Sequence, residues 1–68
     1  MEKAQSLEWE SEGMKLKAVI HPADEGGFWA EVPALRGCYT EGDNLEEVMT
    51  NIREAAESWL EVAAERTS

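Results

Sequence analysis

With 15 acidic and 6 basic residues among 68, the chain carries a formal charge of −9 and is sized for one domain with a thin core. Its single cysteine excludes an internal disulfide, and one histidine with one cysteine cannot complete a common four-ligand zinc site. Lys15 and Lys17 are the only close basic pair, which argues against direct nucleic-acid binding, and no apolar run approaches the ~20 residues of a membrane span.

Residues 1–13 read as an acidic N-terminal extension, and 14–68 as the domain proper. In the extension Leu7 and Trp9 alternate with Glu8 and Glu10, a strand-like pattern in a segment short and charged. Two readings stay open: Trp9 anchors the segment on a neighbouring subunit, or the segment is a frayed tail. The N-terminus is acidic, unlike a signal peptide, and the lone thiol fits a reducing cytoplasm.

Met14, Leu16, Ala18 and Ile20 share one face of a first predicted strand, opposite Lys15, Lys17, Val19 and His21. His21 to Gly27 is polar and hairpin-sized, with Gly26-Gly27 suited to the turn. A second strand follows, with Phe28, Ala30 and Val32 on one face and Trp29 and Glu31 on the other. Pro33 lacks the N–H of a central strand and ends it. Cys38, Tyr39 and Thr40 form a third. The expected fold class is α+β: a three-stranded antiparallel meander covered by one long C-terminal helix.

Asn44 has the chemistry of an N-cap, with Glu47 three residues on as in a capping box. Apolar residues from Leu45 to Ala63 recur at helical spacing, without Gly or Pro. A helix over 45–65 would be ~30 Å long, more than three short strands can cover. Its last turns are therefore expected to meet another subunit. Glu54, Glu57, Glu61 and Glu65 form an outward acidic stripe.

No residue set points to catalysis. The carboxylates fall in turns and on the outer helix face, and the predicted first strand, 14–20, carries none. Cys38 and His21, the one plausible nucleophilic pair, fall on opposite faces of non-adjacent strands. Cys38 reads as a core residue and His21 as a turn residue before Pro22. No cofactor and no metal are expected. The helix can cover only one sheet face, and on the other Val19, Trp29 and Tyr39 are expected side by side, rimmed by Lys15, Lys17, Glu31 and Glu41. An apolar centre with a charged rim has the anatomy of a protein interface.

The stretch from about Leu16 to Leu60 resembles the N-terminal domain of HicB-like antitoxins, the former UPF0150 group. The resemblance rests on Glu25-Gly-Gly-Phe28, Ala30, Val32-Pro33, Leu35, Gly37-Cys38, Thr40, Gly42-Asp43, Leu45-Glu-Glu47, Asn51 and Glu54-Ala55. The chain departs from the pattern at Arg36, where a proline is usual, at Asn44, where threonine is usual, and at Val48, where alanine is usual. The likeness implies a partly reduced ribonuclease-H-like fold without nuclease carboxylates, and a non-enzymatic role. Family members mask the catalytic surface of a small basic HicA-type toxin, an mRNA-cleaving ribonuclease with a double-stranded-RNA-binding-domain-like fold. Many also carry a C-terminal DNA-binding domain, which this chain is expected to lack.

The expected function is thus an antitoxin-like protein that binds a basic HicA-type toxin. The expected toxin contacts are Asp24, Glu25, Glu31, Glu41 and Asp43, with Trp29 and Tyr39 as apolar anchors. A homo-oligomer, a dimer or higher, is expected to meet through Trp9, Val19, Trp59, Leu60 and Ala63. The alternatives are a stand-alone HicB-like regulatory or ligand-binding module and a residual hydrolase.

Overall fold

A computed structural model gives the fold of residues 5–11 and 13–67. Four strands, β1 (Gln5–Ser11), β2 (Met14–Pro22), β3 (Phe28–Glu31) and β4 (Tyr39–Gly42), precede one helix, α1 (Leu45–Thr67). The strands make a single antiparallel sheet in the order β1-β2-β3-β4. The class is α+β as expected, but the three-stranded meander is corrected to four strands.

The added strand is β1, which pairs with β2 from Gln5↔Ile20 to Ser11↔Met14. Its register sets Glu8 opposite Lys17 and Glu10 opposite Lys15 on the outer face, and Leu7 and Trp9 opposite Ala18 and Leu16 on the inner one. Opposite charges facing across two strands favour their pairing. The same glutamates that make the segment look like a solvated tail therefore match the two lysines of β2. Residues 5–11 belong to this chain's own sheet, whereas residues 1–4 and 12 lie outside the described residues. The sheet's first strand also holds Glu8 and Glu10, so the carboxylate-free strand is β2.

The core lies between the inner sheet face and α1. Leu16, Ala18, Ile20, Ala30, Val32, Leu35 and Cys38 are buried against Val48, Ile52 and Ala56 of the helix. Burying each larger aliphatic side chain contributes about 1.5–3 kcal/mol. Leu7, Trp9, Phe28, Leu45, Met49, Trp59 and Leu60 pack around this centre, half-buried. The Trp9 indole N–H is buried without a hydrogen-bond partner.

The helix starts where the sequence places its cap and runs two residues beyond the expected Glu65. Asn44 Oδ1 accepts the Glu47 amide at 2.8 Å, and Glu47 Oε1 accepts the Asp43 amide at 2.7 Å. The reciprocal bond of a capping box thus reaches one residue further back than usual. Two side-chain bonds then fix the path of the helix. Asn51 Nδ2 donates to Glu41 O at 2.9 Å, and Trp59 Nε1 donates to Arg36 O at 2.9 Å. The helix therefore runs back along β4, from its Gly42 end to the β3–β4 connection. No helix among the described residues is long and apolar enough to cross a membrane.

Candidate protein-docking site

Strand alternation and one turn build an acidic cleft at the end of the sheet. The β2–β3 turn is closed by Ala23 N–H to Gly27 O at 3.1 Å and Gly26 N–H to Ala23 O at 3.2 Å. It brings Asp24 and Glu25 towards the end of β4, where Glu41, Asp43 and the first-turn Glu47 stand. Gly27, at φ 78°, packs so tightly that a Cβ there would lie 2.7 Å from Gly42 O. Phe28 and Trp29 complete the walls of a cleft of about 500 Å³.

No lysine or arginine lines this cleft. Among the described residues, Asp24, Glu25, Glu41 and Asp43 make no side-chain ion pair, while Glu47 is held in the helix cap. The concentrated negative potential is thus unrelieved by any ion pair among the described residues. Such a field attracts cationic partners and speeds their encounter.

Trp29 is held in place on the outer sheet face. His21 lies directly across from it in β2, and the two rings stack with centroids 4.3 Å apart and planes at 19°. His21 Nε2 is 3.1 Å from Glu31 Oε2, which pins the imidazole on its other side. His21 is thus a strand residue of β2 rather than the turn residue expected from Pro22. Glu41 faces Trp29 from β4. Trp29 stays 38% exposed, an oriented aromatic surface beside the carboxylates.

Five of the expected partner contacts, Asp24, Glu25, Trp29, Glu41 and Asp43, come together in this cleft. Glu31 and Tyr39 do not. Glu31 is engaged by His21, and Tyr39 lies at the far end of β4. The expected row of Val19, Trp29 and Tyr39 is also broken. The register sets Val19 and Tyr39 on either side of Glu31, and His21 and Glu41 on either side of Trp29. Glu47, absent from the expected contacts, joins the cleft wall because the helix cap folds back onto Asp43.

A second concavity, of about 620 Å³, opens between the start of β4 and the last turns of α1. Trp59 and Ala63, from the expected oligomer set, lie here with Tyr39, Cys38 and Val62. The other members of that set are dispersed: Val19 is on the outer face, and Trp9 and Leu60 pack half-buried against the protein's own core. Cys38 itself is buried, and the loss of solvation raises its thiol pKa, so it is not a primed nucleophile. No group of three or more His, Cys, Asp or Glu suited to a metal occurs among the described residues.

The site thus belongs to a small acidic α+β domain with a negatively charged cleft and a fixed aromatic beside it. The chain belongs to the HicB-like antitoxin family of bacterial toxin–antitoxin systems, whose family model matches residues 16–68. It is 46% identical over 50 residues to a UPF0150 protein of Synechocystis sp., covering 74% of this chain and 68% of the relative. A UPF0150 protein of Archaeoglobus fulgidus is 41% identical over 49 residues, covering 72% and 71% respectively. A third, from Helicobacter pylori, is 47% identical over 47 residues, covering 69% and 64%. No solved structure matches the chain significantly.

Proposed function

We propose that this protein is a non-enzymatic cytoplasmic antitoxin that binds a basic HicA-type ribonuclease and masks its catalytic surface. The observation that carries the reading is the cleft: four carboxylates, Asp24, Glu25, Glu41 and Asp43, beside Trp29, with no ion partner among the described residues. An RNA-cleaving protein must present Lys or Arg to phosphate, and those cations are what such a cleft takes up. Trp29 would stack on a guanidinium or ammonium group and add a cation–π contact. Glu25 and Asp24, on the turn, would close over it.

The test is calorimetric titration of the protein with a purified basic HicA-type toxin at two salt concentrations. A complex that weakens with salt is expected. The triple variant Asp24→Asn, Glu41→Gln, Asp43→Asn should raise Kd by roughly 10–100-fold, from about 0.5–1 kcal/mol per charge. No complex at low salt, or a triple variant that binds as tightly as the parent, would refute the reading.

A further inference from the structure

We propose that the open half of the β4 edge, together with the adjoining groove, is the seat of a second copy of this chain. The two copies would pair β4 to β4 around a two-fold axis at Tyr39.

The hydrogen-bond pattern of β4 defines what is open. Cys38 O accepts the Val32 amide at 3.0 Å, so Cys38 turns its backbone towards the β3 side. In an antiparallel ladder alternate residues turn their amide and carbonyl to opposite sides. Tyr39 and Glu41 therefore point theirs away from β3, along the sheet edge. At Glu41 the edge is closed, because Asn51 Nδ2 from α1 caps the carbonyl at 2.9 Å. At Tyr39 no such cap is present among the described residues. One amide and one carbonyl on a single residue match themselves: a second copy run antiparallel returns the same pair, and both bonds form at once. Unprotected strand edges are templates for such pairing.

The surface around that point is suited to a copy of itself. An isologous contact requires one patch to be complementary to the same patch rotated. Across the two-fold the Tyr39 rings, each 69% exposed, would stand opposite one another on the outer face as a cross-strand aromatic pair. On the other face the sides of the two α1 helices carrying Ala55, Ser58 and Val62 would run antiparallel. These small and medium side chains allow close approach. Val62, 50% exposed on the free chain, would be covered.

Charge selects the occupant. Each copy carries −9, so two copies meet at least cost where carboxylates are fewest, with Glu54 and Glu61 of α1 kept to the rim of the contact. The groove meets that condition, because no charged side chain lines it. A cationic partner gains nothing there and is drawn instead to the acidic cleft at the opposite end of β4. The two surfaces are separate, so a dimer would present two acidic clefts.

Sedimentation equilibrium at micromolar concentration tests the state directly, with twice the chain mass expected for the parent. Val62→Glu adds one carboxylate per copy, two in the dimer, at an exposed helical position that tolerates glutamate. It should weaken self-association at least about tenfold, with an unchanged far-UV circular dichroism spectrum. The register has its own test. In a Cys38→Ala background, Tyr39→Cys should give a covalent dimer with a short bis-maleimide, since directly opposed residues lie about 5.5 Å apart at Cα. A parent that is monomeric throughout, a dimer indifferent to Val62→Glu, or no cross-link at position 39 would each overturn the proposal. A monomeric parent whose binding to a basic protein is lost in Val62→Glu would overturn it too, and would assign the groove to that partner.

Discussion

Gly42 is where sheet and helix come closest, and Gly42→Ala is the sharpest probe of the packing. A Cβ built there would lie 2.5 Å from the Val48 amide nitrogen, 2.7 Å from its Cα and 2.9 Å from its Cβ. Two of these atoms are helix backbone, so no rotamer change relieves the clash. The first turn of α1 must move as a body, and it carries Val48 and, one turn on, Ile52, both fully buried. Overpacking of this kind costs about 1–3 kcal/mol. A chain of this length has a total stability of roughly 3–10 kcal/mol. With about 4–8 °C lost per kcal/mol, a cost of about 2 kcal/mol lowers Tm by about 8–16 °C. Gly37→Ala is the matched control. It has open space around its Cβ, and only its φ of 79° resists a side chain, a cost of about 1–2 kcal/mol. That cost is offset in part by reduced freedom of the unfolded chain. Thermal melts followed by circular dichroism and tryptophan fluorescence should rank Gly42→Ala below Gly37→Ala. A Gly42→Ala protein melting within about 2 °C of the parent would refute the close approach of α1 to β4.

Three further outcomes follow from single contacts. Asn44→Ala removes the acceptor of the Glu47 amide and should cost about 1 kcal/mol, read as a Tm loss of about 4–8 °C. Trp59→Phe keeps the ring but deletes the bond to Arg36 O, and should cost about 0.5–1.5 kcal/mol in urea unfolding with an unchanged m-value. Burial raises the Cys38 pKa in the folded state, so its contribution to stability is complete below the ordinary thiol range and is lost as pH rises through the folded value. Urea midpoints should therefore fall as pH rises above about 8 more steeply in the parent than in Cys38→Ala. Equal slopes would show that Cys38 is already solvated.

The acidic cleft was only partly legible from the residues. Asp24, Glu25, Glu41 and Asp43 announce themselves as carboxylates beside glycine turns, and Trp29 as an aromatic on the outer face. Their convergence depends on the Gly27 turn packing onto Gly42, a contact between segments far apart in the chain. The sequence marks Glu47 as a helix cap and not as a cleft residue, and the same bond that completes the cap brings it to the cleft. Tyr39 and Trp29 share a face and a strand pair, yet register moves them to different sites. A shift of one row cannot be read from alternation, which fixes face but not partner.

Local pattern alone determined the β2 and β3 faces, the stop at Pro33, the cap at Asn44 and the long amphipathic α1. Each is set by a backbone constraint or by a period of two or 3.6 residues within one segment. Only the tertiary structure decided that β1 is a strand, because Glu8 and Glu10 look solvated until Lys17 and Lys15 stand opposite them. It likewise decided which half of the β4 edge is capped, since Asn51 reaches Glu41 only once the helix has folded back along the sheet. Such pairings join residues distant in sequence, and no periodicity within one segment encodes them.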